Sequence, residues 1–359
     1  MANIFKNPIG IDISDFKIRL FQVEQKRKNN YKLSAYTEIA VPDGFISDGE
    51  IKNRDEVIKL ITTCYTKPVF GKFTTRYVNA SISEKKAFLK NISIPNVPPN
   101  ELLGAIRWGI EQNIPVTLDQ SYFDWSILGP SPKDINKLQA IVVVASRQIV
   151  DSYTEVIEQA GLQVLSFENE SAAIARCLIS KENESLPIVI IDLGKSRTTI
   201  IIHYQNVVQY SNTIDINGKD MTTLISQYLH LNYTDAEKAK IICGLDKTKA
   251  KGSIRKILLP IIESLMLKIQ ENIDYFNNYL SADTNQVNKI ILTGSVAMMQ
   301  GLASYAHESL RMPIELSQPW VNINLEHRQK NIVSNDKGFY SYTTAIGLAL
   351  KKNQITSYA

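Results

Sequence analysis

Cysteine is scarce in this chain, and each one stands alone. Cys64, Cys177 and Cys243 are isolated and odd in number. His203, His230, His307 and His327 are scattered, and no pair has the spacing of a zinc site. These absences exclude a disulfide framework and a zinc finger, and they predict a reducing compartment, the cytoplasm. Long apolar runs are missing too. The nearest, ILLPIIESLML at 257–267, carries Pro260 and Glu263 and falls short of the roughly 20 residues that cross a bilayer. No secretory signal is read in MANIFKNPIGID, which runs almost directly into a strand pattern. Charge of one sign is the third absence. Lys and Arg total 40 against 36 Asp and Glu, a formal net charge of +4, whereas nucleic acid calls for a concentrated basic face. The basic stretch QKRKNN at 25–30 is short and lies between two strand patterns, where it reads as a solvated hairpin turn. Nucleic acid is therefore not expected as a partner, and membrane association is expected only through partners.

What is present is a globular composition, 44% hydrophobic and 21% charged, over 359 residues. That length is too great for one ordinary core and predicts two or more domains. Within it one device is written twice. VIIDLGKSRTTIII at 189–202 sets Asp192 between two β-branched runs, and IGIDISDFKIRLFQV at 9–23 does the same with Asp12. Lys17 falls where Arg197 falls, and Leu20 where Ile200 falls. A single aspartate beside a strand reads as a turn cap. Two in matching contexts read as a clamp for a polyphosphate, holding Mg²⁺ or the water around it, with turn N–H groups for the phosphates.

Strands are expected at 9–23, 31–41, 76–81, 87–94, 121–128 and 138–145, with helices at 53–65, 100–113 and 146–159. Asn100 is expected to cap the second helix, with Leu102, Leu103, Ile106 and Ile110 on one face. Residues 81–160 read as an inserted α+β subdomain. The first domain is expected at 1–80, completed by 161–185 and 338–359, and the second at 186–337 with a helical part near 216–284. Pro260 predicts a break or a start in the long helix at 253–280.

In order along the chain, six segments resemble motifs of the actin-like ATPase superfamily, within it the FtsA and PilM group. GIDISDFKIRLFQV is similar to its first phosphate loop, giving Asp12, Ser14 and Lys17, with Arg19 where a lysine is usual. FENESAAIARC resembles the first connecting helix and gives Glu170 as a residue that orients the attacking water. IDLGKSRTT resembles the second phosphate loop, giving Asp192, Gly194, Lys195 and Thr198, followed by Gly218. DAEKAK implies Glu237 and Lys240 at the nucleoside, and ILTGSVAMMQGL implies Gly294 and Ser295 beneath it. AIGLALKK fits the second connecting helix. Read without the resemblance, Glu170 is equally an exposed helix residue, Glu237 an ion-pair partner of nearby lysines and Gly294 a turn glycine. The resemblance implies an α/β actin-like fold of two ribonuclease-H-like domains related by duplication. Its expected cofactors are ATP and Mg²⁺, with Asp12 and Asp192 holding the metal through water, and at most slow hydrolysis.

LLGAIRWGIEQNIPVTLDQSYFDW at 102–125 resembles the inserted subdomain of the PilM family more than that of FtsA, and the chain closes on KKNQITSYA rather than a membrane-targeting helix. The resemblance implies a scaffold of the type IV pilus inner-membrane platform. It would bind the N-terminal tail of a PilN-like bitopic membrane protein, with self-association as a second contact. The tail would lie in a groove between insertion and first domain, with Trp108, Ile110, Ile114 and Pro115 in or near its wall; Trp108 and Ile110 read equally as core residues, and Ile110 more readily so. Gly104 and Gly109 predict close approach of another backbone to the 100–113 helix. A filament-forming division protein and a small-molecule kinase are the alternative classes.

Overall fold

The computed structural model describes residues 7–27, 30–131, 134–180, 183, 185–280, 286–325 and 337–352. The tip of the basic turn at 28–29, His327 and the tail from 353 lie outside them. Two compact units emerge, one of residues 1–179 and 319–359, the other of 180–318.

In the first unit, β1 (Ile9–Ile13), β2 (Lys17–Arg27) and β3 (Asn30–Ala40) form an antiparallel meander. The run expected as one strand at 9–23 is thus a hairpin, turning at residues 14–16. Small pieces follow on the edge and rim: β4 (Ile46–Ser47), β5 (Glu50–Ile51) and β6 (Phe70–Gly71). Strand β7 (Tyr77–Ile82) lies parallel to β1, and β11 (Gln163–Asn169) parallel to β7. Against this sheet pack α1 (Arg54–Thr66), which buries Val57, Ile61 and Cys64, and α3 (Arg147–Gln159), which buries Ile149, Tyr153, Val156 and Ile157. Helix α3 therefore packs into the first core rather than with the insertion, because its apolar face is shared with Ile9, Ile11 and Val78.

Helices α4 (Glu170–Leu178) and α9 (Thr343–Ala349) lie together, with α9 also against β1. Two glycines make that approach possible. A Cβ on Gly10 would lie 1.9 Å from the Ala345 carbonyl oxygen, and one on Gly347 would lie 1.8 Å from that of Ala173. The chain rejoins this unit at Pro319, earlier than the expected 338. The cause is local: Asn322 Nδ2 donates to the carbonyls of Ile179 at 2.7 Å and Arg176 at 3.0 Å, and β17 (Asn324–Leu325) pairs with β3.

The insertion is an antiparallel sheet of β8 (Ala87–Pro95), β10 (Asp134–Ser146) and β9 (Ser121–Ser131), in that order, covered by α2 (Leu102–Asn113). Ile106 and Ile110 pack on Ile92, Ile94, Ala140, Val142 and Val144. Leu103 does not join them and is 49% exposed. Asn100 is not the cap either; the helix starts one residue later, after Glu101, with no side-chain cap. At Gly109 the close approach is made by side chains of the same chain and not by a backbone, since a Cβ there would meet Ile92 Cδ1 at 2.8 Å and Ile94 Cγ2 at 2.9 Å. At Gly104 a Cβ would meet nothing within 4 Å.

In the second unit β12 (Ile188–Leu193), β13 (Thr198–Tyr204), β14 (Val207–Ile214), β15 (Lys289–Thr293) and β16 (Ile314–Leu316) form a sheet. Its order, β14-β13-β12-β15-β16, repeats β3-β2-β1-β7-β11 with the same parallel and antiparallel pairings. The duplication read from the two aspartates is therefore a duplication of topology. Helices α5 (Gly218–Leu229), α6 (Tyr233–Cys243), α7 (Ser253–Tyr275) and α8 (Leu302–Leu310) complete the unit. Pro260 does not break α7. It sits on the exposed side, while Ile254, Leu258, Ile262 and Leu265 are buried on the other. That burial outweighs the roughly 3 kcal/mol that a proline costs inside a helix.

The glycines give a paired prediction. Gly347→Ala should destabilise the protein by about 1–3 kcal/mol through overpacking on α4. Gly104→Ala should stabilise it by up to about 1 kcal/mol, because the added methyl meets open space on a helix. Urea denaturation reads both, and a wild-type midpoint for Gly347→Ala would refute the packing argument.

Candidate functional site

Both sheets carry their acids where parallel strands end. Asp12 is the penultimate residue of β1, Glu170 follows the last residue of β11, and Asp192 is the penultimate residue of β12, in register with Thr293 at the end of β15. In open α/β sheets ligands gather outside such carboxyl ends.

In the first unit the loop closes on itself. Ser14 N donates to the Lys17 carbonyl at 3.0 Å and Ser14 Oγ donates to the same oxygen at 2.9 Å. Asp12 is 5% exposed and is held by Arg19 NH1 at 3.2 Å. Arg19 Nε reaches Glu38 at 3.2 Å, and its guanidinium lies 5.7 Å from the centre of the Tyr342 ring. Lys17 is ion-paired with Glu38, so its ammonium is engaged by β3. Asp15 accepts from Gly49 N at 2.9 Å, which turns its charge toward the β4–β5 turn. Glu170 is buried, 7% exposed, so it is not an ordinary surface helix residue. Its carboxylate accepts from Glu84 N at 3.5 Å.

In the second unit, bare glycines let three segments converge. Gly194 N donates to the Arg197 carbonyl at 2.9 Å, and the Gly194 carbonyl accepts from Gly218 N at 3.0 Å. A Cβ on Gly218 would meet Val296 Cγ2 at 2.6 Å, and one on Gly294 would meet Asp192 Oδ1 at 2.6 Å. Gly294 has φ +86°, a conformation natural to glycine. The sequence thus brings together Asp192, Gly194, Gly218 and Gly294, with Ser295 exposed beside them. Thr198 is turned inward, its hydroxyl donating to the Ile216 carbonyl at 2.6 Å. Lys195 is exposed, its ammonium 5.7 Å from the Tyr233 ring centre.

Lys240 is a buried strut. Its ammonium donates to the Gly218 carbonyl at 2.9 Å, Thr222 Oγ1 at 2.8 Å and Glu237 Oε2 at 2.8 Å, which uses all three of its protons. Burial pushes its pKa below the ordinary lysine value, and Glu237 pulls it partly back. Glu237 keeps one side toward solvent, with 39% of its side chain exposed.

One residue here escaped the sequence reading. Thr293 Oγ1 is buried and has no hydrogen-bond partner in the structure, which is rare for a native hydroxyl. Its place beside Asp192 fits a ligand-bearing pocket. Its only signal in the sequence is that it precedes Gly294. Among the described residues no three His, Cys, Asp or Glu gather into a metal cage. Mg²⁺ commonly binds through one or two carboxylates plus phosphate, and Asp192 suits that role.

The opposite face of the inserted sheet borders a cleft of about 260 Å³ within the first unit. Its lining includes Ile82, Tyr122, Val143, Ala145, Val150 and Phe167. This is not the expected wall. Ile110 and Ile114 are core, while Trp108 and Pro115 are exposed and do not line it. The cleft exists because β10 is apolar on both faces: Val142 and Val144 turn to α2, leaving Val143 and Ala145 for the other side.

Comparison with known proteins agrees with this architecture. A family model described as type IV pilus assembly protein PilM matches residues 10–353. A solved PilM–PilN type IV pilus biogenesis complex is similar at TM-score 0.79 and 21% identity, over 96% of this chain and 97% of that one. MreB5 of Spiroplasma citri bound to ADP is similar at TM-score 0.53 and 13% identity, covering 88% and 93%. The fold is actin-like. The cell division protein FtsA of Pseudomonas aeruginosa is 22% identical over 226 residues, 58% of this chain and 52% of that protein. FtsA of Bacillus subtilis is 21% identical over 51% of this chain and 45% of its own length. The chain thus spans about half the length of these curated relatives.

Replacing Lys240 should expose how much the second half-site depends on it. Lys240→Met should lower the unfolding free energy by about 2 kcal/mol, because the Gly218 carbonyl and the Thr222 hydroxyl lose their shared donor. Lys195→Met, at an exposed position, should change it by less than about 0.5 kcal/mol. Equal stability of the two variants in urea titrations would contradict the strut.

Proposed function

The chain belongs to the type IV pilus assembly protein PilM family, and on that premise we propose that it is an actin-like, nucleotide-binding scaffold of the pilus platform at the inner membrane. Its partner is the cytoplasmic N-terminal tail of a PilN-like single-pass membrane protein. The observation that carries this reading is the apolar cleft beside Val143, Val150 and Phe167, a shape suited to an extended apolar segment. The similar PilM–PilN complex supports the same reading, since it pairs PilM with PilN. No helix among the described residues is long and apolar enough to cross a membrane, so the membrane is reached through the tail.

The nucleotide is ATP with Mg²⁺. Within the second unit, Asp192 would hold the metal through water, the loop at Gly194–Thr198 and the turn at Gly218 would face phosphate, and Glu237, Gly294 and Ser295 the nucleoside. Within the first unit, Asp12 and the loop at Ser14–Lys17 are the corresponding metal- and phosphate-facing groups. Lys240 acts through Gly218 and Glu237, and Lys17 reaches phosphate only by leaving Glu38. Glu170 would orient water for a slow hydrolysis at most. When bound, the metal would supply charge to draw the phosphates together; the chain's own part is to hold the backbone in place around them.

Two measurements test this. Asp192→Asn removes charge but little volume, so calorimetry should show Mg²⁺-ATP binding weakened at least tenfold, about 1.4 kcal/mol, with the unfolding midpoint little changed. No binding of Mg²⁺-ATP to the wild type would defeat the nucleotide reading. For the tail, Val143→Asp should weaken binding of a synthetic PilN-like tail peptide by about tenfold or more, through a charge buried in an apolar cleft. Trp108→Ala, on the far face of the sheet, should leave it unchanged; the reverse result would move the docking site to α2.

A further inference from the structure

The net charge of the chain sits in one place. Residues 246–256 run from just past α6 into the first turn of α7, and they hold Lys247, Lys249, Lys251, Arg255 and Lys256 against the single acid Asp246. Their formal charge of +4 equals that of the whole chain, so the other residues sum to zero. Elsewhere in the same unit lysines are answered by acids: Lys238 pairs with Asp235, Lys268 with Glu271 and Lys289 with Glu315. Among the described residues none of the five cations forms an ion pair. Asp246 spends its carboxylate inside the turn, accepting from Thr248 N at 2.9 Å and from Thr248 Oγ1 at 2.7 Å.

Two of the cations serve the fold. Lys249 Nζ donates to the Ile242 carbonyl at 2.9 Å, and Arg255 NH1 to the Leu245 carbonyl at 3.1 Å, which satisfies carbonyls at and just past the end of α6. Lys247, Lys251 and Lys256 are left exposed. The turn that carries them is preformed. Ala250, Lys251 and Gly252 have φ of +46°, +51° and +73°, and residues with a Cβ enter that region only at a cost. The two cation–carbonyl contacts and the bond from Leu245 N to the Gln300 carbonyl, 2.8 Å, hold it there. Beside it Ile242, in the last turn of α6, is 59% exposed.

The chemistry of this surface selects its partner. Exposed ammonium groups on long apolar stems, with an aliphatic side chain alongside, match the headgroup layer of a bilayer, where the charges meet phosphate and the apolar parts meet the acyl boundary. Single-stranded nucleic acid calls for open rings on which bases stack, and here the Tyr305 ring is half-buried with the Arg255 guanidinium 5.7 Å from its centre. We propose that the α6–α7 turn is a contact for an anionic lipid surface, with Lys247, Lys251 and Lys256 on the headgroups and Ile242 at their edge. This contact goes beyond the tail reading above and needs neither tail nor nucleotide. It amends the expectation that the membrane is met only through partners: a partner anchors the chain, and the turn adds a reversible contact that salt weakens.

The test is co-sedimentation of the full chain, without nucleotide or peptide, with vesicles of phosphatidylglycerol in phosphatidylcholine and with vesicles of phosphatidylcholine alone. Binding is expected to the first and not to the second, and should fall as ionic strength passes about 0.1 M, where the screening length is roughly 10 Å. Lys247→Gln, Lys251→Gln and Lys256→Gln should each weaken partitioning about fivefold, and together about a hundredfold. The unfolding midpoint should stay in place, because all three side chains are exposed. Ile242→Ser should weaken partitioning by about threefold or more. Lys238→Gln removes an exposed lysine that Asp235 already answers, and should change it by less than about twofold. No binding to the anionic vesicles would overturn the contact, and so would a triple variant that binds like the wild type. Tighter binding to soluble polyglutamate than to the vesicles would overturn it in favour of an acidic protein segment. Tighter binding to a duplex oligonucleotide would overturn it in favour of nucleic acid.

Discussion

An aspartate buried at the end of a strand keeps its charge only if a cation is buried with it. In the first unit that cation is Arg19, and much of the unit is fastened around it. The antiparallel register places Arg19 opposite Asp12. Its guanidinium also reaches Glu38 on β3 and lies against Tyr342, the residue before α9. Three strands and the last helix thus meet at one group. Gly10 lets α9 come close enough for that meeting, because any side chain there would strike the Ala345 carbonyl. The Ser14–Lys17 loop is held from beneath by this frame and from within by its own hydrogen bonds.

The second copy keeps the strand order and gives up the arginine. Asp192 faces Thr199 across the hairpin where Asp12 faces Arg19. Its loop is fixed differently, through the Gly194 carbonyl on Gly218 N and the Thr198 hydroxyl on the Ile216 carbonyl. A buried cation of this half is Lys240, whose three protons go to the Gly218 carbonyl, Thr222 and Glu237. Duplication therefore preserved the backbone device and changed the electrostatics around it. Asp12 is buried against Arg19 inside its own unit, and Asp192 is half-buried beside the buried hydroxyl of Thr293.

The repeat itself was legible because it is written in local pattern: an acid between two β-branched runs, spaced alike in both halves. Most strands and helices followed from the same periodicity. The errors have one source, which is that periodicity tells which residues are apolar and not what covers them. Pro260 looked like a break, yet Leu258 and Ile262 bury on the side away from it. Ile114 looked like a groove wall and is core under α2, as Ile110 is, for which core was already the better reading. Gly109 looked like a place of close approach, and what approaches it is the side chains of Ile92 and Ile94 on β8. In the candidate site the acids and glycines could be read one by one. Lys240 as a strut, Thr293 as an orphan and Glu84 on Ser171 could not, since each depends on segments distant in sequence.

The inserted sheet shows how an apolar cleft arises from a packing problem. The run AIVVVA at 140–145 is apolar at every position, a pattern that needs cover on both faces of its strand. Helix α2 covers one face with Ile106 and Ile110. On the other, Ala145 joins the core that α3 shares with the first sheet, and that cover thins at Val143, which stays half-exposed in the middle of the run. Apolar surface left in water there is unfavourable by about 25 cal/mol for each Å². An extended apolar segment can remove that surface from water without repacking either core. The same gap is bounded by Ala87 and Asn169, which hold the insertion to α4. A strand apolar on both sides thus creates the vacancy and sets it against the helix that begins with Glu170.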